Sequence, residues 1–178
     1  MRHRLFAAIR PPAPVIDALL ALEGGVAGAR WQDEGQLHLT LRFFGEVEAR
    51  QAEDLADALA QVRSAPFTLA LRGVGHFETK GRPHTLWAGV APSDELAALQ
   101  HKVESAARRA GLPPEGRRFA PHITLARLNA GSGPLLPFLA AHGPLTGEPW
   151  PVETFDLVES TLGPAGAEYA TVRRYRLA

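Results

Sequence analysis

The chain has no cysteine and a single methionine among its 178 residues. Without a thiol there is no disulfide, no thiolate nucleophile and no thiolate metal site, and redox chemistry leaves the compartment undetermined. Net charge is also lacking, because nineteen basic and nineteen acidic side chains cancel. That balance excludes the general positive field that holds long nucleic acid through many phosphates, so any nucleic-acid contact has to be local. No apolar stretch approaches the roughly 20 residues needed to span a bilayer. Arg2-His3-Arg4 before Leu5–Ile9 imitates a signal peptide, but Arg10-Pro11-Pro12 ends the apolar run at once. The expectation is therefore a soluble cytoplasmic protein with no membrane association. The composition, 46% hydrophobic and 21% charged, is that of a globular chain long enough to bury a core.

Against these absences stand two nearly identical stretches, His38-Leu39-Thr40-Leu41 and, 84 residues later, His122-Ile123-Thr124-Leu125. On a β-strand alternate side chains share a face, so each motif sets an imidazole and a hydroxyl on one side and aliphatic residues on the other. The surroundings repeat as well. Leu5-Phe6-Ala7-Ala8-Ile9-Arg10-Pro11-Pro12 aligns with Leu86-Trp87-Ala88-Gly89-Val90-Ala91-Pro92-Ser93, and each is followed by a helical pattern and then by the His-x-Thr strand.

Taken in order, Leu5–Arg10 reads as a strand, and Val15, Leu19 and Leu22 give a helix ending at Gly24-Gly25. The first motif strand runs from about Gln36 to Gly45. A second helix from Glu48 carries Leu55, Leu59 and Val62 on its apolar stripe. Phe67–Phe77 reads as a strand, Glu78–His84 as a loop or hairpin tip and Leu86–Val90 as a strand. Ser93 caps a third helix with Leu96, Leu99 and Val103 buried and Gly111 at its end. Pro134–His142 is a short helix at best, and Val152–Leu162 and Tyr169–Leu177 are final strands around a Gly163–Gly166 turn. This predicts an α+β class with a duplicated, bilobal, pseudo-twofold fold: two mainly antiparallel sheets facing a central cleft, helices outside. It would be one domain over residues 1–178, with an internal repeat of about 4–77 and 85–162.

Two imidazoles in one cleft suit a reaction that takes a proton from one oxygen and gives one to another, since histidine has both forms accessible near neutrality. Threonine hydroxyls beside them can donate to the oxygens of a phosphorus centre. No other nucleophile stands at a recognisable spacing: Gly-x-Ser-x-Gly and the Gly-x-x-x-x-Gly-Lys loop are both missing. Zinc is disfavoured because no third ligand is spaced near the pair. In-line attack of water on a phosphodiester fits without metal or cofactor. His76, His84, His101 and His142 read as surface or loop residues.

The motifs and their contexts, Arg4-Leu5-Phe6-Ala7-Ala8-Ile9, His38–Gly45, Phe119–Arg127 and Glu159–Pro164 followed by Tyr169, resemble the 2H phosphoesterase superfamily, and within it the RNA 2',3'-cyclic phosphodiesterases, also called 2'-5' RNA ligases. The resemblance implies metal- and ATP-independent hydrolysis of a 2',3'-cyclic phosphate at an RNA end to a 2'-phosphate, with reverse joining of a 5'-hydroxyl through a 2'-5' bond. It implies His122 as proton acceptor, His38 as proton donor, Thr40 and Thr124 on phosphate oxygens and Arg127 as a substrate ligand. RNA ends or nucleotides carrying the cyclic phosphate are the implied partners, and no obligatory protein partner is evident. The alternatives are a phosphodiesterase acting on another cyclic or 2'-5' nucleotide, and a module that binds RNA ends without turnover.

Periodicity and resemblance conflict at arginine. Strict alternation puts Arg127 on the Ile123 and Leu125 face and leaves Arg42 in phase with His38. A bulge or the strand's end near Ala126 would bring Arg127 round, leaving Arg42 as a solvated strand-edge charge. Phe6, Phe43, Phe44, Trp87, Phe119 and Phe155 form the pool from which a base-stacking residue would come, and Lys80, Arg82, Arg117 and Arg118 lie in two loops able to line a rim.

Overall fold

In the computed structural model, which describes residues 1–178, the first apolar run is the buried end of β1 (Arg2–Ile9). Pro12, in extended conformation, is the N-cap of α1 (Ala13–Leu20), and Pro14 lies in its first turn, where a fixed φ suits the helix. A short β2 (Arg30–Trp31) and a 3₁₀ turn over Glu34–Gln36 precede β3 (Leu39–Glu48) and α2 (Ala49–Leu59). Then come β4 (Phe67–Leu69), β5 (Leu71–Thr79), β6 (Arg82–Val90), α3 (Asp94–Arg109), β7 (Ile123–Arg127), α4 (Leu136–His142), β8 (Trp150–Val152), β9 (Thr154–Gly163) and β10 (Gly166–Arg176).

The third helix begins as expected: Ser93 Oγ accepts the Leu96 N–H at 3.1 Å, with Asp94 and Glu95 in the first turn facing the helix dipole. Its Leu96, Leu99 and Val103 pack with Ile16 and Leu19 of α1 and Leu55 and Leu59 of α2 against Leu39, Leu41, Ile123 and Leu157 in one continuous core. Burying a leucine of this kind contributes about 2 kcal/mol. The other sheet face carries a small cluster of Phe6, Ala8 and Val158, with Tyr169 against it. One face is thus committed to helices, and the other is left for the cleft.

Seven strands follow the antiparallel order β10-β9-β1-β3-β7-β6-β5, with β2 on β7, while β4 and β8 form a separate two-stranded sheet. The class is α+β. The two large half-sheets are continuous, joined by a single ladder pair between β3 and β7, Leu39 with Ile123. Both motif strands begin one residue after their histidines, and before β3 the Glu34–Gln36 turn is closed by reciprocal Asp33 and Gln36 capping.

Glu78–His84 takes the hairpin alternative: Lys80 and Gly81 both have positive φ, 53° and 76°, and form the two-residue turn that matches strand twist. Pro83 is accommodated on β6 beside a register irregularity, where a missing N–H does little harm. The Phe67–Phe77 strand breaks at Ala70, and its first part pairs with β8 instead. No helix is long and apolar enough to cross a membrane.

Candidate active site

The Leu39–Ile123 pair sets the geometry of the site. Both side chains are fully buried in the core. In an antiparallel pair the neighbours on either side project to the opposite face, so His38 lies across from Thr124 and Thr40 across from His122. A local twofold through the pair exchanges the two motifs. All four side chains line one cleft of about 200 Å³. No further ladder pairs join β3 to β7, and the divergence of the strands leaves room for a ligand between the histidines.

Each motif strand then carries a bulge at the same place. In β1–β3, Ala7 pairs with Arg42 and Ala8 with Thr40, so Leu41 is extra. In β6–β7, Leu86 pairs with Ala126 and Trp87 with Thr124, so Leu125 is extra. A bulge inserts one residue and reverses the alternation beyond it. Consecutive residues are accordingly buried, Leu41 with Arg42 and Leu125 with Ala126. The bulges settle the arginine conflict. Arg127 comes round to the cleft, where its Nη1 donates to Thr85 Oγ1 at 3.2 Å. Arg42 is carried out of phase with Thr40 and buried.

Arg42 is therefore no solvated edge charge. Only 7% exposed, it pairs with Glu104 of α3 at 2.8 Å, donates to the Pro113 carbonyl and lies 5.4 Å from the Phe44 ring centroid. The register also shifts the repeat alignment: Ala7, rather than Leu5, corresponds to Leu86, a displacement of two residues that preserves which face each side chain takes. Phe6 and Phe43 then correspond to Thr85 and Arg127.

The imidazoles are half-buried, and their surroundings differ. His122 Nδ1–H donates to the Ala120 carbonyl at 2.7 Å, which fixes the tautomer and leaves Nε2 with a free lone pair. Phe77 packs edge-on against it at 4.7 Å, with Trp87 behind. His38 is enclosed by Phe6 and Tyr169, at 6.1 and 5.8 Å between ring centroids, and its Nδ1 is buried with no partner in hydrogen-bond geometry. Burial lowers both pKa values, as expected when a charged form loses water. The backbone two residues back opposes this in each case, Gln36 for His38 and Ala120 for His122. The Arg127 guanidinium lowers His122 further. For His38, Arg10 lowers and the buried Asp156 carboxylate, held by Arg174 at 2.8 and 3.1 Å, raises.

Several cleft residues lie outside the expected set. Thr85, 2% exposed, takes a hydrogen bond from Arg127 and shares one of 2.8 Å with His84 Nδ1. Alternation back from Trp87 along β6 would have found it, but Thr85 falls between the Glu78–His84 segment and the expected Leu86–Val90 strand. Phe77 and Tyr169 also line the cleft. His84, read as a loop residue, sits on β6 where the cleft meets an open groove of about 940 Å³ that carries Lys80 and Arg82. Arg117, on the rim, is turned to Glu115 at 3.4 Å.

A cleft with paired imidazoles, hydroxyls and one unpaired guanidinium is built for an anionic ester. The chain belongs to the 2'-5' RNA ligase superfamily, whose family model matches residues 11–163. It is 35% identical to the RNA 2',3'-cyclic phosphodiesterase of Thermus thermophilus, with 98% of this chain and 90% of that protein covered. To the protein of the same name from Aeropyrum pernix it is 33% identical, with 86% and 89% covered. The crystal structure of Escherichia coli LigT complexed with 3'-AMP superposes with a TM-score of 0.83 at 28% identity, over 100% of this chain and 99% of that one.

Proposed function

We propose that this chain hydrolyses the 2',3'-cyclic phosphodiester at RNA ends to a 2'-phosphomonoester, using His122 as general base and His38 as general acid. The observation that carries the reading is the Leu39–Ile123 pair, which relates the two His-x-Thr motifs by a local twofold at one cleft. The family and the names of its members supply the substrate class.

In the proposed step a water oxygen attacks phosphorus in line with the departing 3'-oxygen. His122 Nε2, left free by the Nδ1 bond to Ala120, takes the water's proton. The new P–O bond forms as the P–O3' bond breaks, and His38 delivers a proton to the 3'-oxygen. Thr40, Thr124 and Arg127 hold the non-bridging oxygens as charge builds on them. The protons balance with one imidazole neutral and one protonated at the outset. A 5'-hydroxyl in place of water would give a 2'-5' linkage by the same path, which is the ligation reading. The histidines and hydroxyls supply the acid, the base and the charge stabilisation, so no metal is called for.

Phosphorus NMR of a short RNA ending in a 2',3'-cyclic phosphate, incubated with the protein in chelator, tests this. The expected product is a 2'-monophosphate. A 3'-monophosphate contradicts the regiochemistry, and binding without turnover identifies an end-binding module instead.

A further inference from the structure

The Arg127 side chain is exposed, and its only hydrogen bond within the protein goes to one buried hydroxyl. Thr85 pairs directly with Arg127 across the β6–β7 ladder and with Phe77 of β5 on its other flank. A direct cross-strand pair brings Cβ atoms within about 5.5 Å of each other, so the hydroxyl stands beside the stem of the arginine. The corresponding pair on the other half of the cleft is Phe6 with Phe43, which offers no hydroxyl. The contact therefore belongs to the His122 side alone.

A hydroxyl has one proton to give and two lone pairs with which to receive. Arg127 Nη1 donates to Thr85 Oγ1 at 3.2 Å, and the remaining contact of that oxygen is His84 Nδ1 at 2.8 Å. Thr85 is too deeply buried for solvent to take the hydroxyl proton instead. A buried donor without an acceptor is costly, and Nδ1 is the acceptor within reach. The hydroxyl proton thus goes to Nδ1, and the neutral His84 ring carries its own proton on Nε2. That Nε2–H has no partner in the protein. The ring is exposed where the cleft meets the groove of about 940 Å³ beside it.

We propose that Thr85 is a positioning residue for the proposed reaction, aiming the Arg127 guanidinium at the phosphate and holding His84 as a neutral donor whose Nε2–H binds an oxygen of the same anionic ester. This rests on that reaction and deepens it. The bonds of the chain all donate in one direction, from Arg127 to Thr85, from Thr85 to His84 and from His84 to the anion. Bonds aligned in this way polarise and strengthen one another. An arginine held in one arrangement before the substrate arrives also spares part of the ordering cost of binding. The dependence is one-way, since Thr85 touches the substrate only through its two neighbours.

The test is a double-mutant cycle on adenosine 2',3'-cyclic phosphate with wild type, Thr85→Val, Arg127→Gln and the variant carrying both changes. Thr85→Val is expected to lower kcat/KM roughly tenfold, the scale of one hydrogen bond to a charged group, and Thr85→Ser to restore it. In the Arg127→Gln background the valine should cost little further, because the group it positions is already gone. A loss of the same factor in both backgrounds is the mark of a merely structural threonine and overturns the proposal. His84→Ala should raise KM roughly fivefold, the scale of one neutral hydrogen bond, and an unchanged KM overturns the assignment of its Nε2–H. Nitrogen NMR of isotope-labelled wild type is expected to place the proton of the neutral His84 ring on Nε2. A proton on Nδ1 overturns the chain even if Thr85→Val does not fold. Failure of wild type to turn over the ester sinks the reaction instead, and the same cycle read in the affinity for adenosine 2'-monophosphate then still decides whether Thr85 acts through Arg127.

Discussion

At the scale of residues, the two histidines are distinguished by what surrounds them. Burial lowers both pKa values below the ordinary 6.5, and the charges beside each differ. For kcat/KM, which reports the free enzyme, the state with one imidazole neutral and one protonated is most populated between the two values. The optimum is thus expected on the acid side of pH 6.5, and activity should fall as rising pH strips the proton from His38. A flat profile between pH 5 and 8 would contradict this. Arg127 lowers His122 as a neighbouring cation, and in the proposed reaction it also holds the phosphate. Arg127→Gln should raise KM, and by removing that cation it should move the acid limb of the profile to higher pH. A raised KM with an unmoved limb would show that the guanidinium does not reach the His122 imidazole.

At the scale of elements, the bulged strands decide which side chains reach the cleft. Alternation placed His38, Thr40, His122 and Thr124 on one face correctly, because these positions precede the bulges. It failed for Arg42, Phe43, Ala126 and Arg127, which follow them. A bulge is a property of the pairing between two strands, and nothing within Leu39–Phe43 or Ile123–Arg127 marks Leu41 or Leu125 as the extra residue. The helix stripes and the Ser93 cap were legible because they depend on local spacing. The Lys80–Gly81 turn was legible as a loop or hairpin tip from its local composition, whereas the β4–β8 sheet joins segments too distant for local patterns to reveal. The buried Arg42–Glu104 pair ties β3 to α3. Glu104→Gln should leave the arginine buried without its counterion and lower unfolding free energy on the order of 3 kcal/mol, while turnover by the folded variant stays near wild type. Urea denaturation beside steady-state assays checks both halves of that expectation.

At the scale of the whole molecule, the site exists because two half-sheets touch at one residue pair. Each half contributes one His-x-Thr motif, and the antiparallel pairing of Leu39 with Ile123 brings the motifs to a common face. The repeat visible in the sequence gave the reason to expect two half-sites, but not the edge-to-edge junction that joins them. Zero net charge agrees with a cleft whose cationic character is local, centred on Arg127 with Lys80 and Arg82 along the neighbouring groove. The central claim is that both imidazoles act on a single phosphodiester as an acid–base pair. The most direct measurement is single-turnover hydrolysis of a 2',3'-cyclic-ended RNA by wild type, His38→Ala, His122→Ala and the double variant. Each single variant should lose at least the ~10²-fold typical of a missing acid or base. The double variant should fall little below the worse single one, as groups acting as a unit do. A near-wild-type rate in either single variant, or losses that multiply in the double variant, would contradict the account.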